Sequence, residues 1–454
     1  MNTPTDRDRF PSEGNRSDAS RFLRICIVTC LLAAGSTSVS AATIPTDSAT
    51  VLGPVDAVAI AIADNPSLAA MQARFEAMSA IPSQVGTLPD PILSFNALNF
   101  PTDTFNVRQE AMTQLQFGIS QKLPFPGKLA LREEASSFEA KAARNNVDET
   151  RLRLVRDVQS SWWTLRYLDY ALEIVAKNQV LLDQFVDIAR IKYEVGDGLQ
   201  QDVLLAQLEL SKLLDQKIQL TGLRRGEAAG LNKLIGRPAD TEIVLPPSTN
   251  LMLPELAQES ALFERARQLR PRLAAIRHQI QAAESRVGLA KKDYYPDFNI
   301  GAVYGARQGD NPPNVGGERT DFLTLRFSIN LPLYPKRKRA AAVSQRTSEL
   351  QSERYALLDE RNAVYAQISR ASADYVQARE QFSLFDTGII PQARQTVQSM
   401  LAGYQVSEVD FLNLVRSQIT LLNYETQYWR SLSAANQALA RLYAAVGGEI
   451  IHEQ

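Results

Sequence analysis

Residues 322 to 331 alternate strictly, with Leu323, Leu325, Phe327, Ile329 and Leu331 interleaved with Thr324, Arg326, Ser328 and Asn330. A period of two places apolar side chains on one face of a strand and polar ones on the other. Gln114, Gln116 and Ser120 alternate likewise with Leu115, Phe117 and Ile119, while residues 92–100 and 298–306 follow the pattern less regularly. Four strands are expected, at about 91–100, 113–123, 298–307 and 322–331. Two hairpins covering a soluble core would alternate in the same way, so the strands alone leave the architecture open.

Elsewhere the period is helical. Lys128 to Val195 contains neither glycine nor proline, and neither does Lys336 to Thr387. At 1.5 Å per residue the first run would extend roughly 100 Å as one helix. Within it Leu168, Leu172, Val175, Gln179, Leu182, Val186, Ala189 and Tyr193 follow the three-four spacing of a coiled-coil seam, as do Leu412, Val415, Ile419, Leu422, Thr426 and Trp429 later. The pattern breaks at 193–200 and 404–411. Gly196 and Gly198 can take positive φ at little cost, after which Val203, Ala206, Leu210 and Leu213 resume the seam. These breaks read as hairpin turns between paired helices.

The same motifs occur twice. Asn65-Pro66-Ser67-Leu68-Ala69-Ala70 resembles Arg270-Pro271-Arg272-Leu273-Ala274-Ala275, and Leu115 to Ser120 resembles Leu325 to Asn330. Pro89-Asp90 returns 207 residues later as Pro296-Asp297, and Tyr193-Glu194-Val195-Gly196 returns 211 residues later as Tyr404-Gln405-Val406-Ser407. So small a drift across more than a hundred positions points to a tandem duplication. The fold class expected is mainly α with a small β part, repeated over residues 42–250 and 251–454.

Composition narrows the function. The 454 residues carry a formal net charge of −1, which offers no global attraction to nucleic acid. Residues 1–41 read as an export signal: Arg21 and Arg24 precede the apolar run Ile25 to Ala34, and Val39-Ser40-Ala41 supplies small residues before Ala42. Cys26 and Cys30 lie inside that run, so the mature chain is expected to lack cysteine. Cys30 follows Ile27-Val28-Thr29 rather than a small residue, a poor context for lipidation, so cleavage after Ala41 leaves an unmodified Ala42 terminus. Beyond the signal no run of eighteen apolar residues occurs, so any membrane span is a β-barrel.

No enzyme site, cofactor site or metal site is expected. His278 and His452 are the only histidines, Gly196-Asp197-Gly198 lacks the third glycine and preceding strand of a dinucleotide fingerprint, and Met71, Met78, Met112, Met252 and Met400 are scattered.

Four amphipathic strands cannot close a barrel, since membrane barrels begin at eight and an open edge in lipid strands backbone donors and acceptors. Copies of the chain must therefore share one barrel, of eight strands in a dimer or twelve in a trimer. Thr324, Arg326, Ser328 and Asn330 would then line a wet lumen. Pro124, Pro126 and Gly127 in one half, and Pro332 and Pro335 in the other, end strands and turn the chain into helices, which would place them where the barrel meets the helices. Lys336-Arg337-Lys338-Arg339 follows the second junction, either as a solvated charge run or against lipid phosphates.

Together these residues resemble the TolC-type outer-membrane efflux family over essentially the whole mature chain. The resemblance rests on the duplicated helix-hairpin-helix plan, Asn65-Pro66, Pro124-Phe125-Pro126-Gly127-Lys128, Tyr193-Glu194-Val195-Gly196 with Asp202-Val203, and Leu231-Asn232-Lys233-Leu234-Ile235-Gly236-Arg237-Pro238. It implies a homotrimer in outer-membrane lipid, with a shared twelve-stranded barrel and a long α-helical coiled-coil tunnel crossing the periplasm. The implied partners are a periplasmic adaptor protein and an inner-membrane pump of the RND type. The Pro-Phe-Pro-Gly-Lys passage resembles the heavy-metal resistance branch.

In that family the hairpin turns form the periplasmic tip that docks the adaptor and seals the resting pore. Here those turns carry Val195, Gly196, Asp197, Gly198, Asp202 and Val203, and Ser407, Glu408, Asp410 and Phe411. Where some relatives ring the pore with acidic residues after the second turn, this chain has Asn413 and Arg416. The function implied is a passive exit duct for small toxic solutes, drugs or heavy-metal cations. The alternatives are the outer-membrane channel of a type I protein secretion system and a soluble periplasmic coiled-coil scaffold.

Overall fold

Prolines at helix starts and long stretches without breakers set the element order. A computed structural model describes residues 51–248 and 251–448; the expected export signal, Cys26, Cys30, the Ala41–Ala42 bond and His452 lie outside the described residues. Helices Pro54–Asp64 (α1), Pro66–Ser79 (α2) and Ile81–Gly86 (α3) precede strands Ile92–Leu98 (β1) and Gln114–Leu123 (β2). Two long helices follow, Lys128–Glu194 (α4) and Gln200–Leu234 (α5). The order then repeats with Glu259–Leu269 (α6), Pro271–Lys292 (α7), Phe298–Ala306 (β3), Phe322–Ile329 (β4), Ala341–Leu384 (α8), Ile390–Gln405 (α9) and Phe411–Val446 (α10).

The 67 residues of α4 form one unbroken helix, about 100 Å long. Its counterpart is longer than the run without breakers suggests. Pro391 cannot donate to the Thr387 carbonyl and its ring crowds that group, yet a π-helical turn at Phe385–Ile389 opens the ladder and the helix continues to Gln405. A second π-helical turn, Pro335–Ala340, leads into α8. No described helix is long and apolar enough to cross a membrane.

All four strands join one antiparallel sheet in the order β1-β2-β3-β4, so the halves meet where β2 pairs with β3. Register aligns the alternation across the whole sheet. Leu93 and Phe95 oppose Ile119 and Phe117, which oppose Ala302 and Tyr304, which oppose Leu325 and Leu323. That face is apolar and exposed. Ser94, Asn96, Gln114, Gln116, Ser120, Asn299, Thr324, Arg326 and Ser328 share the opposite face, interspersed with Gly118, Gly301 and Gly305. A Cβ at Gly305 would collide with the Gln114 side chain, so small residues are what let this polar face curl inward. Burial of Gln114, Gln116 and Val303 on it follows from that curl.

The helical core keeps Leu168, Val175, Leu182 and Ala189 of the expected seam and moves its alternate positions by one residue. The buried row along α4 is Leu168, Ala171, Val175, Asn178, Leu182, Phe185 and Ala189, a strict three-four repeat. Leu172, Gln179 and Val186 are only half-buried on its flank, and Tyr193 is exposed. Likewise Phe411, Val415, Gln418 and Leu422 are buried along α10, while Leu412 is exposed and Ile419, Thr426 and Trp429 are half-buried. Two polar residues enter the row because they satisfy each other. The Gln418 amide donates to Asn178 Oδ1 at 2.6 Å, with both side chains buried. A second cluster gathers Trp162, Leu165, Leu231 and Ile235 around α1, where the Trp162 indole donates to the Leu52 carbonyl at 2.9 Å.

Candidate functional site

Three regions hold the residues singled out in the sequence, in chain-spatial order from the sheet to the far end of the helices. On the sheet, Thr324, Arg326 and Ser328 lie on the polar face. Asn330 lies one residue past β4, where its side-chain oxygen accepts from the Asp297 N–H and its own N–H donates to the Asp297 carbonyl at 3.2 Å. It extends the β3–β4 ladder rather than standing within it. At the other end of the strands, Arg319 draws the two connecting loops together by donating to the carbonyls of Arg108, Glu110 and Gln308.

Below the sheet, the Pro124-to-Lys128 passage closes on the segment entering β3. Gly127 takes φ +87° as the residue before α4, which aims Lys128 inward. Its side chain is 4 % exposed and its ammonium meets Asp297 at 2.9 Å and Asp293 at 3.1 Å, and donates to the Tyr295 carbonyl at 3.3 Å. Burying a charged side chain is costly unless partners of opposite charge and hydrogen-bond acceptors surround it in this way. Asp297 also accepts from the Phe125 N–H at 3.0 Å. Burial pushes the Asp297 carboxyl up, but the Lys128 ammonium, the Phe125 N–H and the Lys122 charge outweigh it and hold the group below its ordinary value. Phe125 stacks on Tyr295 at 4.5 Å, with the Lys292 ammonium 5.4 Å from the Phe125 ring. In the other half Pro332 precedes the π-helical turn and Pro335 opens it, and their segment makes no such stack or ion pair among the described residues.

At the far end of the helices the two turns lie side by side. In the first, Asp197 N–H donates to Lys192 O at 2.8 Å and Gly196 N–H to Tyr193 O at 3.1 Å, with Gly196 at φ +80°. In the second, Glu408 N–H donates to Gly403 O at 2.9 Å and Ser407 N–H to Tyr404 O at 3.1 Å, with Ser407 at φ +61°. Both are the six-to-one and five-to-two closures that end a helix through a left-handed residue. Lys192 joins them, donating to Tyr404 O and Ser407 Oγ, each at 2.8 Å, with its ammonium 4.8 Å over the Tyr404 ring. Sequence reasoning missed Lys192, which sits in a helix one residue before the Tyr193 motif and makes its contacts with the second turn.

The tip residues divide by exposure. Val195, Gly196, Asp197, Ser407, Glu408 and Asp410 are exposed, as are Ile191, Leu199 and Val406 beside them. Gly198, Asp202 and Val203 are half-buried. Phe411 is 2 % exposed and lies 5.2 Å from the Tyr404 ring, so it braces the tip from within instead of facing outward. Burial foremost, with the Asp410 charge, raises the Asp202 carboxyl against a lowering hydrogen bond with the Leu199 backbone. Asn413 and Arg416 are exposed on α10. Among the described residues no group of His, Cys, Asp and Glu is arranged to hold a metal ion. The arrangement offers surfaces and a curled amphipathic sheet.

Comparison with known proteins agrees with that description. The family described as outer membrane efflux protein matches residues 57–237 and 262–448, leaving unmatched the α5–α6 connection with the start of α6, and the termini. The alkaline protease secretion protein AprF of Pseudomonas aeruginosa is 23% identical over 287 residues, 58% of each chain. The toluene efflux pump outer membrane protein TtgF of Pseudomonas putida is 25% identical over 241 residues, 52% of this chain and 48% of that one. The chain thus spans about half the length of the relatives it matches. The crystal structure of the outer membrane protein VceC from Vibrio cholerae shares the fold, with a TM-score of 0.71 at 18% identity, covering 87% of this chain and 96% of that one.

Proposed function

Because this chain belongs to the outer membrane efflux protein family, we propose that three copies close a twelve-stranded barrel in the outer membrane and continue it across the periplasm as a helical exit duct. The observation that carries this reading is the four-stranded sheet. Leu93, Phe95, Phe117, Ile119, Leu323, Leu325 and Phe327 are all exposed on one face, and both sheet edges are unpaired among the described residues. Such a sheet is stable in lipid only when closed, and four strands cannot close alone. Three copies also account for Leu204, Leu208, Ile218 and Leu223, which are exposed along α5 and need neighbouring helices to cover them.

In this reading the mature chain begins at Ala42, and its halves, 42–250 and 251–454, each supply one hairpin to the barrel and one helical hairpin to the tunnel. Thr324, Arg326 and Ser328 face the lumen. The exposed tip, Val195 to Gly198 and Ser407 to Asp410, docks a periplasmic adaptor that links the duct to an inner-membrane pump. The chain itself does no chemistry: the pump selects and drives the cargo, small toxic solutes such as organic compounds or heavy-metal cations. Its relation to TtgF, named for toluene efflux, supports a small-molecule cargo.

AprF, named for protease secretion, favours one second reading, in which the same duct serves a polypeptide exporter. Deleting the gene and measuring growth against a panel of solvents, drugs and metal salts, alongside secretion of polypeptides, separates the two. Sensitisation with normal secretion supports efflux. Lost secretion with unchanged resistance replaces it with export of polypeptide, and recovery of the protein as a soluble periplasmic monomer refutes both.

A further inference from the structure

The junction leaving β2 finds its partners inside the chain, whereas the matching junction leaving β4 makes no aromatic stack or side-chain ion pair among the described residues, although Arg339, three residues beyond it, donates to the Asp293 carbonyl at 3.2 Å. Leu123-Pro124-Phe125-Pro126-Gly127-Lys128 aligns without a gap on Leu331-Pro332-Leu333-Tyr334-Pro335-Lys336, 208 residues later. The segment entering β3, Tyr295-Pro296-Asp297, aligns on Leu88-Pro89-Asp90, 207 residues earlier. The first pair of segments meets within the chain through the Phe125–Tyr295 stack and the Lys128–Asp297 ion pair. Their counterparts sit at opposite edges of the sheet, before β1 and after β4. There Leu88 and Leu333 are 46 % and 71 % exposed. Asp90 and Lys336 are exposed as well, and their side chains make no hydrogen bond or ion pair among the described residues.

From this we infer that a second copy of the chain supplies the missing partners by repeating, between subunits, the seam that β2 and β3 form within one. Lys336 meets Asp90 of the partner subunit, Leu333 is covered by Leu88 of the partner subunit, and β4 pairs with the partner's β1 in the register copied from β2 and β3. The inference rests on the shared barrel proposed above and adds its register and its anchoring pair.

The register can be written residue by residue at the junction's offset of 208, rather than the 210 at which Leu115 to Ser120 resembles Leu325 to Asn330. With β1 and β3 207 residues apart, only 208 carries Ile92↔Ser120 of the first hairpin onto Asn299↔Ser328 of the second. Ile119↔Ala302 becomes Phe327 opposite Phe95 of the partner subunit, and Ser120↔Gly301 becomes Ser328 opposite Ser94 of the partner subunit. Gly118↔Val303 becomes Arg326 opposite Asn96 of the partner subunit. Apolar thus meets apolar on the outer face and polar meets polar within. A slip of one residue would turn the apolar face of one strand against the polar face of the other. A slip of two preserves the faces but moves Lys336 about 7 Å along the strand from Asp90, at 3.2–3.4 Å per residue. The ion pair therefore selects among registers that the faces alone leave equivalent.

The copy is not perfect, and the differences say what to expect. Pro335 stands where Gly127 has φ +87°, so the chain leaves β4 through a π-helical turn instead of entering its helix directly. Asp293, the second carboxylate on Lys128, aligns on Gly86, so Lys336 has one carboxylate to meet where Lys128 has two. The seam between subunits is accordingly the weaker of the two.

Cysteine pairs in the full chain, oxidised in outer membranes and resolved on non-reducing denaturing gels, test the register. Ser94→Cys with Ser328→Cys should give reducible dimer and trimer bands, at least tenfold stronger than Ser94→Cys with Arg326→Cys or with Asn330→Cys. Either single variant should give none, which controls for Cys26 and Cys30. Stronger bands from a shifted pair would overturn the register. For the anchoring pair, Lys336→Asp and Asp90→Lys should each lower the temperature at which the oligomer dissociates in detergent, and combining them should restore most of the loss. A double variant no better than the singles would overturn that contact. An amine-reactive crosslinker applied to the unaltered protein keeps the two levels apart: oligomers without the expected disulfides refute the seam alone, and no oligomer at all refutes the shared barrel with it.

Discussion

The two turns at the tip reach the same backbone geometry with the sizes of their residues exchanged. In the first, the loop contributes Gly198 and the helix Lys192, and a Cβ on Gly198 would lie 2.9 Å from the Lys192 Cβ. In the second, the loop contributes Val409 and the helix Gly403, and a Cβ on Gly403 would lie 2.6 Å from Val409 Cγ2. Loop and helix approach too closely for two side chains, so one member must be bare, and the geometry does not dictate which. The left-handed position differs too, being Gly196 in one turn and Ser407 in the other. What the duplication has kept is a backbone path and a closest approach. A comparison of Gly196-Asp197-Gly198 with Ser407-Glu408-Val409 by residue type would see a turn signal lost, when the turn is intact.

The most disruptive way to break this relation is Gly403→Val, which places side chains on both members of the second turn. Overpacking of this kind costs about 1–3 kcal/mol, and the tip should lose amide-exchange protection while the distant sheet keeps its own. Adding Val409→Gly moves the bare position onto the loop, as in the first turn, and should return most of the protection. If the double variant is as exposed as the single, the exchange of sizes has no bearing on the turn.

Gly196→Val probes the first turn by backbone alone, because nothing lies within 4 Å of a Cβ placed there. A β-branched residue in the left-handed region costs roughly 1–2 kcal/mol, little against the long helices behind it. The variant should assemble and reach the membrane, yet lose resistance to the cargo and lose crosslinks to the adaptor. Failure to assemble would make the turn a folding element, and normal export would remove it from docking.

The smallest effect is expected from Asp202→Asn, which gives the first turn the residue type that the second has at Asn413. Burial and the Asp410 charge raise the Asp202 carboxyl in the fold. A raised carboxyl favours the folded tip below the ordinary aspartate value of about 4, and that advantage is lost as pH rises through the elevated folded value. Asp202→Asn should thus make the tip more resistant to proteolysis at neutral pH and leave it unchanged in acid. Equal gains at both pH values would show that the charge is not the cause.

Much of this structure was legible along the chain. Alternation marked β4 and β2, and the absence of glycine and proline marked α4 to within one residue of its end at Glu194. Less was legible where prolines had to be reconciled with a continuing helix, because the π-helical turn before Pro391 depends on how the ladder opens and not on composition. At the candidate sites, exposed turn residues could be named in advance. Lys192 and Asp297 could not, since each gains its role from a partner in the other half.

The seam shows where the division falls. Residue periodicity determined that α4 and α10 have an apolar stripe, because side-chain direction follows from local backbone geometry. It did not determine which of two neighbouring rows is buried, since Leu172 and Val186 on one row look no less apolar than Ala171 and Phe185 on the other. Packing decided that, and it placed Asn178 at the centre of the core. An amide there is stable only with a hydrogen-bonding partner, and the partner, Gln418, lies 240 residues away along the chain. Local sequence sets the period of each element, whereas the satisfaction of a buried polar group is a property of two elements together and exists only once the tertiary fold has joined them.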